Sequence, residues 1–233
     1  MGLIYIAENR ELFPHMTVME NLKMGAYSKN ARPHEKENLE RVLTLFPRLR
    51  KRTKHLASTM SGGEAKMLAV ARGLMSNADF LCIDEPSLGL QPSLRHEVFA
   101  IIKQINEQGK TVFLVEQNIP QIAELADRVY VMYAGLIVEQ GLTKHIFKAA
   151  AHPYTQGLLQ TVPDKANPEQ PLFSIKGNVP SLLEPQTSCR FAPRCDFVMD
   201  RCKREIPPFF MLNEDHQAAC FLHRGQSEVK TDR

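Results

Sequence analysis

Met60 to Pro86 reads MSGGEAKMLAVARGLMSNADFLCIDEP, and the fold is decided by how this stretch is read. Ser61 is an N-cap residue, and Glu64 three positions later completes a capping box that opens a helix. Gly62 and Gly63 leave the first-turn N–H groups uncovered, so a phosphate can approach the positive end of the helix dipole. From Met67 onward Met67, Leu68, Val70, Ala71, Leu74 and Met75 fall at helical spacing and predict one buried face. Phe80-Leu81-Cys82-Ile83 is then an apolar run without alternation, which predicts a strand buried on both faces of a parallel sheet. It ends in Asp84-Glu85, at the carboxyl end of the strand, where open α/β folds bind ligands. Two adjacent carboxylates there suit a magnesium held through water by Asp84 and a base for an attacking water at Glu85.

Taken singly, a capping box or a carboxylate pair after a strand is as often structural as functional. Together, with only a helix between them, they are hard to dismiss as a mere cap and a solvated turn. The segment resembles the signature motif and Walker B strand of the ATPases of ABC transporters. The resemblance implies a trans phosphate contact at Ser61, Gly62, Gly63 and Glu64, magnesium at Asp84 and a general base at Glu85.

Bulk properties set the frame. The chain has 233 residues, enough for one or two domains with a sizeable core. A net charge of +3 is too small to argue for nucleic acid as a partner. The densest basic run, Arg48 to His55, reads as a solvated helix end. No apolar stretch approaches the ~18–20 residues that span a bilayer, and Leu3 to Ile6 is too short for a signal-peptide core. These features set the expectation of a cytoplasmic chain, peripheral on the inner face of the cell membrane, that inserts nowhere itself and reaches the membrane through a partner.

Upstream of the decisive stretch, Leu3 to Ile6 predicts a strand, Thr17 to Glu20 a second capping box, and residues 34–48 an amphipathic helix. ENRELFPHMTVMENL (8–22) resembles the branched-chain amino acid importer ATPases. Glu8 stands where the family's Q-loop carries Gln, which implies a switch role for Glu8, a solvated turn being the alternative. Downstream, residues 93–108 predict a helix stopped by Gly109, and Thr111 to Val115 a buried strand. Gln117 stands where most of the family has a histidine on the γ-phosphate; Gln can donate one hydrogen bond there but carries no charge. Arg128–Tyr133 and Leu136–Glu139 predict a hairpin around Ala134-Gly135. From about Val129, VYVMYAGLIVEQG and HPYTQGLL (152–159) resemble the oligopeptide and dipeptide importer ATPases. Residues 163–171 read as a polar, Pro-rich linker.

The tail places Cys189, Cys195, Cys202 and Cys220 at C-x5-C-x6-C-x17-C spacing in a Pro-rich segment with little periodicity. Such a segment buries too little to offset its ordering entropy, so a metal staple is physically reasonable. Disulfides do not suit a reducing cytosol, and zinc normally shows tighter pairs. The tail resembles the C-terminal extension of peptide-importer ATPases, which implies a [4Fe–4S] cluster on these four cysteines; zinc and free thiols remain alternatives. His216 and His223 read as surface histidines and spare ligands, Cys82 as a small core residue, and His152 as carrying no chemistry.

No G-x-x-x-x-G-K-[ST] occurs in the chain, so it holds no Walker A loop for the β- and γ-phosphates. The resulting expectation is an α/β fold: an incomplete P-loop NTPase core of the ABC ATPase type with a helical subdomain over residues 1–145, and a small irregular Cys-rich extension over 146–233. Apolar surface on the sheet should be left uncovered. The expected ligands are ATP and Mg2+. The expected partners are a second ABC ATPase subunit, in a homo- or heterodimer, and integral membrane permease subunits. The expected role is the ATPase of a peptide importer, a branched-chain amino acid importer or a non-catalytic regulatory partner being the alternatives.

Overall fold

The computed structural model describes residues 2–162, 173–181, 183 and 187–229. The chain divides into two compact units, Met1–Asn118 and Ile119–Arg233.

In the first unit, β1 (Leu3–Ile6) leads to α1 (Val18–Gly25), which starts at the Thr17–Glu20 capping box. Next come α2 (Glu35–Leu45) and α3 (Pro47–Arg50). The single helix expected over 34–48 is thus broken. Phe46, at φ −121° and ψ 71°, precedes Pro47, and the proline ring disfavours a helical residue before it. The basic run continues beyond this break, and Arg48, Arg50 and Arg52 pair with Glu97, Glu40 and Glu64. Then α4 (Gly62–Leu74) starts at the Ser61–Glu64 box and leads into β2 (Phe80–Asp84). α5 (Pro92–Glu107) and β3 (Thr111–Val115) complete the unit. α1 crosses α4 so closely that a Cβ at Gly25 would lie 2.0 Å from the Arg72 carbonyl oxygen, which only glycine permits. Val18, Leu22, Val42, Leu49 and Leu68, each 0 % exposed, form the helical core.

The three strands form a parallel sheet in the order β1-β2-β3. One face is buried, with Ile6, Leu81 and Ile83 in the core. The other is open within this unit: Leu3, Tyr5, Phe113 and Val115 are 68, 55, 47 and 43 % exposed. The expected bare surface is therefore present. The same fact corrects two expectations: β2 is buried on one face only, and Cys82, whose register partners are Tyr5 and Phe113, is half-exposed on the open face. A parallel strand becomes a two-sided core strand only when a layer covers each face, and this unit supplies one layer.

The second unit contains α6 (Ile119–Leu125), β4 (Arg128–Tyr133), β5 (Leu136–Leu142), α7 (Thr143–Lys148), α8 (Pro153–Gln160), β6 (Phe210–Asn213) and β7 (His216–Ala218). The hairpin turns at Ala134 and Gly135, whose φ values of 48° and 81° are those of the turn that matches strand twist. The tail is mostly turns and short 3-10 segments, yet its strands join the hairpin in an antiparallel sheet of order β4-β5-β7-β6. Tyr133, Tyr154 and Phe191 pack ring to ring, centroids 4.6, 5.2 and 5.6 Å apart, beside Val131, Val138 and Ile146. The linker expected over 163–171 lies outside the described residues.

Candidate functional site

Two clusters of chemically competent side chains stand out, one in each unit. The first lies at the carboxyl ends of the parallel strands. Asp84 closes β2, and its Oδ2 accepts a 2.8 Å hydrogen bond from the Tyr5 hydroxyl. Glu85 follows in the left-handed region, at φ 44°, where a residue with a side chain sits only when its surroundings compel it. Its N–H donates to the Val115 carbonyl at 2.9 Å, so the end of β3 holds the turn. The Gln117 amide donates to Glu85 Oε2 at 3.3 Å. Burial and the neighbouring Glu116 push the Glu85 carboxyl above its usual range, against the Gln117 bond. The ends of β2 and β3 thus bring Gln117 to Glu85, next to Asp84.

Glu116 and Lys66 belong to the same constellation and were not singled out from the sequence. Glu116 Oε1 accepts the N–H groups of Gln117 and Asn118, each at 3.0 Å, while its Oε2 is buried without a partner. The E-Q-N order after a strand end was its only signal. Lys66, 1 % exposed, donates to the carbonyl oxygens of Glu8 (2.9 Å) and Asp84 (3.3 Å). Burial and the nearby Arg10 lower its pKa, against the Glu8, Asp84 and Glu85 carboxylates. It ties α4 to the ends of β1 and β2. The Glu8 side chain itself is exposed.

At the start of α4, Ser61 Oγ accepts the Glu64 N–H at 3.3 Å, and the Ser61 N–H donates to Glu64 Oε2 at 3.0 Å. Burial pushes the Glu64 carboxyl up, but these bonds and Arg52 Nε at 3.0 Å outweigh it and hold the carboxyl below its usual range. Ser61 and Gly62 are exposed, whereas Gly63 is packed so closely that a Cβ there would meet Leu94 at 2.5 Å. Among the described residues, Ser61 to Glu64 make no hydrogen bond with Asp84, Glu85 or Gln117. Ser61 and Gly62 thus present the start of α4 to solvent.

The second cluster lies in the tail. Cys189, Cys195, Cys202 and Cys220 line one narrow cavity of ≈ 10 Å³. The rest of its lining is apolar except for His152. The nearby backbone of Phe191 and Ala192 favours the ionised thiol of Cys189, that of Phe197 the thiol of Cys195, and that of Leu222 the thiol of Cys220. Burial outweighs this effect and raises the thiols of Cys189 and Cys195, and that of Cys220 to about 11. Among the described residues, no three His, Cys, Asp or Glu side chains form a group that could hold a metal ion.

Beside the cavity, Glu139 is 0 % exposed and fully engaged. Its Oε1 faces His216 Nε2 at 2.7 Å and accepts the Ala151 N–H at 2.8 Å; its Oε2 accepts the His152 N–H at 2.8 Å. His216 is therefore a buried partner of Glu139, not a surface histidine or a spare ligand. His223 faces the Ala151 carbonyl at 3.0 Å. Neither histidine lines the cysteine cavity; His152, to which sequence reading assigned no chemistry, does. These pairings join residues up to 77 positions apart, which no local pattern displays.

Residues 2–88 match the family described as ABC transporter, and residues 138–202 match the C-terminal region of oligopeptide/dipeptide transporters. A putative peptide import ATP-binding protein of Brucella abortus (strain 2308) is 34% identical over 233 residues, which cover 94% of this chain and 68% of that protein. The dipeptide transport ATP-binding protein DppD of Caldanaerobacter subterraneus is 31% identical, covering 99% and 72%. The high-affinity branched-chain amino acid transport ATP-binding protein BraG of Pseudomonas aeruginosa is 48% identical over 137 residues, covering 59% of this chain and 58% of that protein. The chain thus spans between about half and three quarters of the length of these relatives. Among solved structures, a nucleotide-free ATP-binding cassette of an ABC transporter superposes with a TM-score of 0.57 at 22% identity, covering 67% of this chain and 68% of that one. Near-full-length similarity to two such proteins, on a fold that matches a solved cassette, places the chain in the family of ABC-transporter ATP-binding proteins.

Proposed function

We propose that the chain supplies the signature, Walker B and switch parts of the ATP-hydrolysing subunit of a peptide importer. One observation carries this reading: Asp84 and Glu85 sit at the end of a parallel strand, with Gln117 bonded to Glu85. In this reading Asp84 holds magnesium through water, its second oxygen making no bond among the described residues, and Glu85 takes the proton of the attacking water. The raised pKa of Glu85 favours that role, because a base near the working pH combines availability with driving force. Gln117 orients the Glu85 carboxylate, and Glu8 reports on the site from the end of β1. The exposed Ser61 and Gly62, with Gly63 and Glu64 behind them, close the nucleotide site of a second ATPase subunit. Permease subunits would hold this assembly at the inner face of the membrane; among the described residues no helix is long and apolar enough to cross it.

The peptide substrate class is supported by the match of residues 138–202 and by relatives whose names specify peptide import. Amino acid transport is the second reading, favoured by the 48% identity to BraG. The same peptide reading includes an iron–sulfur cluster on the four tail cysteines. Its support is four thiols that line one cavity, the residue type that holds such clusters. When bound, the cluster would supply a staple for the tail; Cys189, Cys195, Cys202 and Cys220 would hold it.

The test is ATP turnover by the chain alone and co-purified with a P-loop-bearing ATP-binding subunit of a peptide importer. The expected result is turnover only by the pair, reduced at least about a hundredfold by Glu85→Gln. Turnover indifferent to Glu85→Gln overturns the assignment of the base, and a pair that never hydrolyses ATP favours a non-catalytic regulatory chain. Separately, anaerobic reconstitution with iron and sulfide should give a brown ~400 nm absorbance that is lost on replacing the four cysteines by serine.

A further inference from the structure

Glu116 follows β3 directly and has no part in the reading above. One of its carboxylate oxygens, Oε1, accepts the N–H groups of the next two residues, Gln117 and Asn118, each at 3.0 Å. The other, Oε2, is buried and among the described residues has no hydrogen-bond partner. A buried acceptor left unpaired is unfavourable, so packing gives no reason for a carboxylate here. Its two bonds do give one. Shared by a single oxygen, they hold the backbone of residues 116–118 in a tight turn, as short acceptor side chains do in other turns. The turn sets the direction in which the Gln117 side chain leaves the chain, and the Gln117 amide donates to Glu85 Oε2 at 3.3 Å. On the other side of Glu116, the Val115 carbonyl accepts the Glu85 N–H at 2.9 Å. Glu85 is therefore held, by backbone and by carboxylate, from the two residues that flank Glu116. It sits at φ 44°, a conformation that persists only when its surroundings enforce it. Gln117 is itself exposed, so on a loose turn its side chain would spread over several rotamers and give its amide to water.

We propose that Glu116 is a positioning residue for the hydrolytic base, pinning the turn that delivers the Gln117 amide to Glu85. The inference rests on the reading of Glu85 as the base for the attacking water. Glu116 acts through Gln117 and takes no proton itself. An amide on a loose turn meets the carboxylate for only part of the time, whereas a turn closed by two bonds keeps Glu85 in one orientation. Orientation matters to rate, because a reacting group misplaced by about 1 Å can cost about a hundredfold.

The experiment has one arm on the chain alone and one on turnover. In ¹⁵N–¹H spectra of the full chain, the Gln117 side-chain amide, assigned by its loss in Gln117→Ala, reports whether it is bound. Glu116→Ala removes the oxygen that holds the turn. Glu116→Gln keeps a carbonyl oxygen in that place and removes the charge. The expected result is a Gln117 amide that moves to the position of a free side-chain amide in Glu116→Ala and stays near its native position in Glu116→Gln, with thermal unfolding of both near native. In ATP turnover with the P-loop-bearing subunit, Glu116→Ala should lower kcat at least about tenfold at an unchanged KM for ATP, and Glu116→Gln should restore most of it. Added to Glu85→Gln, Glu116→Ala should cost nothing further, because it acts through Glu85 alone.

A Gln117 amide that stays in place in folded Glu116→Ala overturns the proposal. A loss of turnover in Glu116→Ala that adds in full to that of Glu85→Gln also overturns it, and so does a loss that Glu116→Gln shares, which would assign the effect to the charge and not to the turn. Turnover indifferent to Glu85→Gln defeats the reading of the base, while the spectra alone still decide whether Glu116 places the Gln117 amide. Hydrogen exchange on the native chain needs no variant. The backbone N–H groups of Gln117 and Asn118 should exchange at least about tenfold more slowly than in an unstructured peptide, and unprotected amides there overturn the proposal.

Discussion

The carboxylate site of the first unit and the cysteine site of the second solve opposite physical problems. Asp84, Glu85 and Gln117 sit at an open sheet end where charge stays partly hydrated, so a strained φ of 44° and one 3.3 Å side-chain bond suffice to hold Glu85. Beside the cysteine cavity, the Glu139 carboxylate is 0 % exposed and must find its partners within the protein. Glu139 accordingly takes up one imidazole and two backbone N–H groups at 2.7–2.8 Å. The open site is cheap to assemble and easy to alter. The closed site is costly to break, because low dielectric magnifies both a made and a missing bond.

Three measurements would break or sharpen that contrast. The largest effect is expected at Glu139→Ala, which leaves the Ala151 and His152 N–H groups and His216 unpaired in a dry site. Denaturant unfolding should show a loss of about 3–5 kcal/mol, and a loss below 1 kcal/mol would mean the closed site is no more demanding than the open one. Ser61→Ala removes one cap at an exposed helix start, and the expected cost is about 1 kcal/mol. A cost as large as that of Glu139→Ala would erase the distinction from the other side.

The smallest effect has the opposite sign. The Glu85 carboxyl titrates above its usual range, so its ionisation costs the folded state stability at any pH above the raised value, and that cost is absent below the ordinary value. Glu85→Gln should therefore be slightly more stable than the native chain at pH 7, by less than ~1 kcal/mol because the group is partly hydrated. The difference should close as pH falls through the carboxylate range. Unfolding curves at pH 7 and pH 4 check this, and a variant less stable than native at pH 7 would show that Glu85 is structural. Combined with lost turnover, a gain in stability is the expected trade of a working base.

Legibility from sequence followed the same divide. Both capping boxes, at Thr17 and Ser61, form as read, because their donors and acceptors lie three residues apart. The strand at Leu3–Ile6 and the hairpin turn at Ala134-Gly135 follow from equally local chemistry. The helix break at Phe46 was also local, and Pro47 announced it, but the apolar period of 34–48 masked the signal. Burial of β2 on one face was not local. Its apolar run says only that both faces are greasy, and whether a layer covers them depends on elements far away in sequence.

The residue types, their spacing and the local caps determined the family, the helix and strand order, and the pairing of Asp84 with Glu85, since each rests on contacts within a few residues of chain. Only the tertiary structure decided that Lys66 bridges to Glu8 and Asp84, that His216 is spent on Glu139, and that His152 lines the same cavity as four thiols. Those facts come from hydrogen bonds closed across 58 and 77 residues and from the exclusion of water around them. A linear sequence carries no signal for either, because burial is a property of what surrounds a residue and not of the residue itself.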